Sequence, residues 1–353
     1  MKQQYFWKTV CIIRETVQAV TIIFDTQGDS FSFKAGQFIN LTLSINGERI
    51  SRSYSLSSAP EHDEHPAITV KAVAGGIMSN YILSHAEEIM EWEIDGPHGL
   101  FHVTTEAESG EWVVLIGGGS GVTPLYSMLK YLLLSTKVNI LLINSNKTAA
   151  DVIFGKALMH IRQAYPQRFH LINVFTREIS ANDSFGENSL QGRLSRIRLK
   201  KIIKQFAGEA YRDAQYFICG PNGLMQLAVE SLQSAGIEQA QIFTETFHPI
   251  NEEKAELPTM MQEVLLHHYE QTNLLQIEPG KTILEVALED HVPVQYSCKN
   301  GTCGICIGKL LQGNVYMRQN YALQAEQVSK GYILLCQSYP LDSAVTVEVN
   351  ESI

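Results

Sequence analysis

Four of the six cysteines in this 353-residue sequence, Cys298, Cys303, Cys306 and Cys336, stand in the order C-x4-C-x2-C with a distant fourth. Thiolates at that spacing are the ligand pattern of a plant-type [2Fe-2S] cluster. Three ligands from one short loop require tight bends, and Gly301 and Gly304 permit them between the ligands. Zinc and disulfides are the competing chemistries. A structural zinc site usually offers two close ligand pairs, not three clustered ligands and a lone fourth. Disulfides need an oxidising compartment, and residues 1–17, with Lys8, Arg14 and Glu15 among the apolar positions, do not read as a signal peptide.

Two glycine-rich turns offer a second chemistry. The strand-like run Trp112 to Ile116 leads into Gly117-Gly118-Gly119-Ser120-Gly121-Val122-Thr123-Pro124 and then an apolar helix, Leu125 to Leu134. Glycines let a pyrophosphate approach the backbone, and a helix N-terminus presents N–H groups to it. Many such turns are merely tight, and this one departs from G-x-G-x-x-G. A second turn, Cys219-Gly220-Pro221-Asn222-Gly223, follows the apolar run Tyr216 to Cys219. In an open α/β sheet both turns lie at carboxyl ends of strands, where ligands bind. Cys219 alone reads as a small buried hydrophobe.

A third set lies nearer the start. Arg52-Ser53-Tyr54-Ser55 joins a cation, a ring and hydroxyls on a strand-like segment, which is what a flavin needs for its phosphates, its ring face and its ring edge. Gly75-Gly76-Ile77-Met78-Ser79-Asn80 adds a flexible turn before a helix, Tyr81 to Ala86, and could seat a pyrophosphate. Without context these are an exposed strand face and a common turn.

The elements that must position these residues fall into three blocks. Residues 1–107 carry short alternating runs such as Ala19 to Phe24, Phe38 to Leu43 and Ile68 to Val73, the pattern of an antiparallel β-barrel. Residues 108–247 alternate apolar strands with helices, which predicts a parallel α/β sheet. Residues 248–260, polar and bounded by prolines, read as a linker. Residues 261–353 hold two short strands, a helix opening on a Thr282/Glu285 capping box, the cysteine loop and a final strand, Val345 to Val349. The fold class expected is multi-domain α+β and α/β. A net charge of −10 argues against nucleic-acid affinity. No apolar run approaches the roughly twenty residues needed to span a bilayer. No Ser-His-Asp set, H-E-x-x-H or P-loop points to a hydrolase, metalloprotease or NTPase.

Taken in order, Arg-Ser-Tyr-Ser, Gly-Gly-x-x-Ser-Asn, Gly-Gly-Ser-Gly-Val-Thr-Pro, Cys-Gly-Pro and Glu245-Thr246-Phe247 resemble the ferredoxin-NADP reductase family. The terminal cysteine block is similar to the ferredoxin domain of the fused reductases that feed oxygenases, those of phenylacetate degradation among them. The resemblance implies a flavin domain, a nicotinamide-nucleotide domain and a β-grasp ferredoxin domain. It implies FAD on Arg52, Ser53, Tyr54 and Ser55, with its pyrophosphate at Gly76, Met78 and Ser79. It places the nicotinamide nucleotide at Gly119, Ser120, Gly121 and Thr123, with Cys219, Gly220 and Pro221 beside the nicotinamide and Phe247 near the flavin. Ser55, Cys219 and Phe247 are the implied catalytic positions.

Thr176-Arg177 matches the place where the family often grips a 2'-phosphate, which favours NADPH over NADH; Ser145 and Lys147 would add to that site. An arginine at a strand end is also an ordinary surface charge. The implied activity is hydride transfer from NADPH to FAD, then single-electron transfer through the cluster to an oxygenase or other acceptor protein, in the cytoplasm. Reductases for a hybrid-cluster protein, a desaturase or a ring hydroxylase share the pattern, and a redox sensor without turnover is the alternative outside that class.

Overall fold

The computed structural model describes residues 4–177, 189–247, 257–269, 271–296, 299, 301, 304–320, 322–323 and 325–349. The chain divides into two compact units, Met1–His248 and Pro249–Ile353.

The first unit opens with strands β1 (Gln4–Thr16), β2 (Ala19–Asp25), β3 (Phe38–Ile45), β4 (Glu48–Ser55), β5 (Ala67–Lys71) and β6 (Trp92–His98), with helix α1 (Ile77–His85) between β5 and β6 and the short α2 (Thr105–Ser109) after them. They form one antiparallel sheet in the order β4-β3-β6-β1-β2-β5. β1 is long enough to serve two neighbours: its first residues pair with β6 and the remainder with β2. Leu56, just past β4, bridges to Ile68 of β5, so the two edges of the sheet meet and a barrel closes. Trp7 and Trp92 are paired across β1 and β6, and both are fully buried. By area, burial of each indole stabilises the barrel by roughly 4–6 kcal/mol.

The same unit continues with β7 (Trp112–Gly118), α3 (Val122–Ser135), β8 (Asn139–Asn146), α4 (Gly155–Ala164), β9 (Phe169–Phe175), β10 (Ser189–Gln191), α5 (Arg196–Ala207), β11 (Gln215–Cys219), α6 (Asn222–Gln233) and β12 (Ile242–Glu245). The sheet is parallel throughout, in the order β10-β9-β8-β7-β11-β12. Every residue of β7 is buried, as a central strand covered on both faces requires. Leu125, Met128, Leu129 and Leu132 of α3 and Leu158 of α4 cover one face; Leu199, Ile202 and Ile203 of α5 and Ala228 and Leu232 of α6 cover the other. Strand order reverses between β7 and β11, which opens a crevice at their carboxyl ends.

The second unit contains β13 (Gln262–His268), β14 (Gln271–Ile277), α7 (Ile283–Glu289), β15 (Ile307–Gln312), β16 (Val315–Met317), α8 (Ala325–Ser329), β17 (Tyr332–Leu334), β18 (Ser338–Pro340) and β19 (Val345–Val349). Five strands run in the order β14-β13-β19-β15-β17, and β16 pairs with β18. β13 and β19 are parallel, the other pairs antiparallel. α7 packs Ile283, Leu284, Val286 and Ala287 into the core, and the expected capping box forms: Thr282 N–H donates to Glu285 Oε2 at 2.7 Å and Glu285 N–H to Thr282 Oγ1 at 3.2 Å.

Two boundaries differ from the sequence expectation. β5 ends at Lys71, not Val73, and α1 begins at Ile77, not Tyr81. Local side chains explain both: Asn80 Nδ2 donates to Val73 O and Gly76 O, and Ser79 Oγ accepts from Val73 N–H. These bonds fold the segment back so that the helix starts at once. No helix among the described residues is long and apolar enough to cross a membrane.

Candidate functional site

A cleft of about 190 Å³ opens at the strand-order reversal of the parallel sheet. Gly118, Gly119, Ser120 and Gly121 line it from the turn after β7, and Gly220 and Pro221 from the turn after β11. The barrel contributes Lys71, Ala72 and Val73, and Phe247 completes the wall. The two turns touch so closely that a Cβ on residue 121 would lie 2.2 Å from Cys219 O, and β8 lies so close that one on residue 118 would be 2.8 Å from Ser145 O. Only glycine fits at either place, and what remains is a wall of bare backbone. Gly119 takes φ +57° and its N–H donates to Asn146 Oδ1 at 3.3 Å. Thr123 is buried, and its hydroxyl donates to Ser120 O. Cys219 lies beneath the cleft, fully buried in the core.

Lys71 was not singled out by sequence reasoning. It is half-buried, and burial first, then Lys147, hold its ammonium below the usual range against the opposing pull of Asp151. A lysine at a strand end has no local spacing that marks it; only packing of β5 against the turn after β7 brings it to the Gly-rich turn.

Tyr54 and Arg52 alternate with Ser53 and Ser55 along β4, so the pairs face opposite sides of the strand. Arg52 is exposed, Tyr54 is half-buried, and burial raises the Tyr54 hydroxyl above its ordinary range. Ser53 Oγ donates to Asn40 Oδ1 at 2.7 Å. Gly76 precedes α1 with an extended backbone and no side-chain cap, so the first-turn N–H groups lack the partner that a capping residue would supply. A Cβ there would lie 2.6 Å from Ser79 Oγ. Met78 and Ser79 are both buried, Met78 within the barrel core.

Ser55 Oγ donates to Glu245 Oε2 at 3.4 Å, joining the end of β4 to the end of β12. Glu245 is paired with Cys219 across β11 and β12. Burial pushes the Glu245 carboxyl from 4.5 to about 8, opposed in part by the Ser55 bond, and the Cys219 thiol is raised well above its usual value by burial and then by Glu245. At neutral pH the carboxyl therefore carries a proton next to a hydroxyl. Sequence reasoning used Glu245-Thr246-Phe247 as a signature but gave Glu245 no role.

Thr176 and Arg177 are exposed after β9, and their N–H groups donate to Asn146 O and Lys147 O, each at 3.0 Å. The structure thus brings Ser145, Lys147, Thr176 and Arg177 to the ends of two neighbouring strands of the sheet that carries the cleft.

In the second unit, Cys306 and Cys336 are 2% and 5% exposed and belong to its core. Cys306 O accepts from Leu335 N–H at 2.9 Å, which holds the third cysteine one residue from the fourth. Cys298 and Cys303 lie outside the described residues. Lys299, Gly301 and Gly304 have φ of +55°, +80° and +71°, so these described residues of the loop take left-handed backbone. Gln337 Nε2 donates to Lys299 O at 3.0 Å and reaches Cys336 Sγ at 3.7 Å.

Three family models match the chain: an oxidoreductase FAD-binding domain over residues 9–103, an oxidoreductase NAD-binding domain over 115–230, and a 2Fe-2S iron-sulfur cluster binding domain over 267–341. The chain is 30% identical to one of the subunits of the 1,2-phenylacetyl-CoA epoxidase from Escherichia coli (strain K12), across 95% of this chain and 94% of that protein. It belongs to the ferredoxin-NADP reductase family with a fused C-terminal 2Fe-2S domain. A ferredoxin reductase component of 3-ketosteroid-9-alpha-monooxygenase from Rhodococcus rhodochrous is 29% identical over 96% of this chain and 94% of its own. Among solved structures, phthalate dioxygenase reductase shares the fold with a TM-score of 0.62 at 19% identity, covering 98% of both chains. An intact self-sufficient cytochrome P450 monooxygenase gives 0.72 at 16% identity, covering 98% of this chain and 41% of that one.

The residues present fit the family's three groups. A wall of backbone that excludes a Cβ at residues 118 and 121 suits a dinucleotide, and an uncapped helix N-terminus at Gly76 together with a strand carrying Arg52 and Tyr54 suits a flavin with its pyrophosphate. Two buried cysteines held one residue apart across a strand pair, with an amide N–H directed at one sulfur, suit a thiolate-ligated cluster. The chain is an oxidoreductase with FAD-binding, NAD-binding and 2Fe-2S domains.

Proposed function

We propose that this protein oxidises NADPH, with NADH as a second donor, and delivers the electrons singly to a partner oxygenase of the phenylacetyl-CoA epoxidase type. The observation that carries the reading is the convergence of the Gly118–Gly121 and Gly220–Pro221 turns, Lys71 and Phe247 on one cleft, in the unit that also joins Ser55 to Glu245. The partner rests on the 30% identity to an epoxidase component along nearly the whole chain.

Residues 1–107 then form the flavin domain, 108–247 the nucleotide domain, 248–260 the connection and 261–353 the ferredoxin domain. Arg52, Ser53, Tyr54, Gly76, Met78 and Ser79 hold FAD, Met78 through its backbone because its side chain is in the core. Gly119, Ser120, Gly121, Gly220 and Pro221 hold the nicotinamide nucleotide. Thr123 acts through Ser120, whose carbonyl it holds. Thr176 and Arg177 meet the 2'-phosphate. Cys298, Cys303, Cys306 and Cys336 ligate the cluster.

When bound, FAD accepts two electrons from a nicotinamide and gives them up one at a time, and a [2Fe-2S] cluster carries one. The protein's own part is positional and electrostatic. Phe247 forms one side of the cleft, and the protonated Glu245 carboxyl is held against the Ser55 hydroxyl. Cys219 keeps its proton and packs as a neutral wall. The absence of any helix able to cross a membrane among the described residues accords with a cytoplasmic setting.

An anaerobic titration of purified protein with NADPH and NADH, followed by its visible spectrum, tests the reading. Bleaching of flavin and iron-sulfur absorption by substoichiometric NADPH is expected. Protein that shows neither absorption, or that neither nucleotide reduces, would overturn it. Turnover with a phenylacetyl-CoA epoxidase oxygenase, against a ring-hydroxylating oxygenase as the comparison, tests the partner.

A further inference from the structure

Across the parallel sheet, one row carries polar side chains at four of its six positions where the row behind it is apolar. Ser189 pairs with Asn173, Asn173 with Asn144, Asn144 with Gly117, Gly117 with Cys219 and Cys219 with Glu245. Two residues back on the same face, the row reads Leu171, Leu142, Leu115, Phe217 and Phe243, all packed in one core cluster. Asn144 and Asn173 are 0% and 1% exposed, and Asn144 Nδ2, Asn173 Oδ1 and Ser189 Oγ have no hydrogen-bond partner among the described residues. Buried amides with unmade bonds destabilise a fold relative to leucine at the same places. The row is not explained by stability.

One member of the row, Asn144, does anchor a directed chain of hydrogen bonds. Asn144 Oδ1 accepts from Asn146 Nδ2 at 3.0 Å, and Asn146 Oδ1 accepts from Gly119 N–H at 3.3 Å. Asn146 is 5% exposed and does not line the cleft. Its amide is engaged at both ends, donor toward β8's own Asn144 and acceptor toward the Gly-rich turn. A flipped amide would set Nδ2 against the Gly119 N–H and Oδ1 against Asn144 Oδ1, losing both bonds at once. Gly119 is the residue of that turn with left-handed φ, where β7 turns toward α3. Fixing its N–H fixes the peptide plane from which the cleft-lining backbone departs.

We propose that Asn146 is a positioning residue for the nicotinamide dinucleotide: it holds the Gly119 peptide in its binding orientation, and Asn144 keeps the Asn146 amide the right way round. The inference rests on the reading that this cleft takes a nicotinamide dinucleotide. An apolar residue at position 146 would leave the Gly119 N–H without that acceptor, and the turn would sample other orientations before ligand binds.

The test uses full-length protein loaded with its cofactors, as wild type, Asn146→Ala and Asn144→Leu. Kd for NADP+ and for NAD+ is read from perturbation of the flavin spectrum, KM and kcat from ferricyanide reduction, and flavin content and Tm from the same preparations. Asn146→Ala is expected to raise Kd and KM for both nucleotides about tenfold, with most of the loss in KM and not in kcat. Asn144→Leu leaves Asn146 in place but frees its amide, and a rise of about threefold is expected, with flavin content retained. Kd within twofold of wild type in both variants overturns the proposal, as does loss of flavin or of fold in both, which would make the row purely structural. A wild-type protein that neither binds nor oxidises either nucleotide would instead strike the functional reading beneath it.

Discussion

The cysteine loop and the cleft proposed to take the nucleotide suit a redox group in opposite ways. The loop draws its cysteines from a short stretch of sequence, with left-handed backbone at Lys299, Gly301 and Gly304. The cleft gathers backbone from residues near 71, 119, 220 and 247, and side chains matter there mainly where they must be absent. Thiolates bind metal through strong directional bonds, so residue type and spacing suffice to mark the site. A dinucleotide is bound by many weaker contacts to N–H groups and a shaped wall, so the site exists only after several elements meet. Sites of the first kind should fail by ligand substitution, and sites of the second by anything that fills or twists the wall.

Replacing a ligand gives the sharpest form of that contrast. Cys336→Ser, assayed with cytochrome c, should lower electron delivery by more than about a hundredfold, while NADPH still bleaches the flavin at close to the wild-type rate. Equal loss of both activities would show that the two regions do not work as separate sites. Filling the wall comes next. Gly121→Ala places a Cβ against the Cys219 carbonyl, and a rise in nucleotide KM of about 10–100-fold is expected, with cluster absorption untouched.

Side chains at the cleft's margin should have milder and more selective effects. Thr176→Val with Arg177→Gln removes a hydroxyl and a cation from exposed strand ends and should move the NADPH to NADH ratio of kcat/KM about tenfold toward NADH. No change in that ratio would make Arg177 an ordinary surface charge.

Glu245 offers a pH test. Its carboxyl is raised from 4.5 to about 8 in the folded chain, so its contribution to stability is fully present below about 4.5 and is lost as pH rises toward about 8, where the unfolded chain has already released its proton. Thermal unfolding of the wild type should therefore fall more steeply between those pH values than that of Glu245→Gln, and parallel curves would contradict the raised value. The smallest effect is expected at Gln337. Gln337→Leu removes the amide N–H from Cys336 Sγ and from Lys299 O, and potentiometry should find the cluster about 20–60 mV more negative.

Much of the molecule is legible in its sequence. The all-apolar run of β7, the alternation along β4 and the Thr282/Glu285 box are local patterns, and local backbone geometry turned each into the element expected. The start of α1 was placed late because Asn80 and Ser79 read as turn residues, whereas their side chains bond back to Val73 and Gly76 and begin the helix. Thr123 looked like a ligand-facing hydroxyl, yet its partner is Ser120 O, a contact within the turn itself.

The sequence by itself marked the candidate chemistry: cysteines at cluster spacing, glycine-rich turns after strands, and a ring with a cation on a strand. Only the tertiary structure decided which side chains without a motif join them. Lys71 reaches the cleft because the end of β5 packs against the turn after β7, Glu245 meets Ser55 from 190 positions away, and Asn146 finds Gly119 because β7 and β8 are parallel neighbours. The physical reason is range. Bond geometry and backbone dihedrals act over a few residues and leave a readable pattern, whereas burial, pKa shifts and hydrogen bonds between distant strands depend on packing that has no signature until the chain is folded.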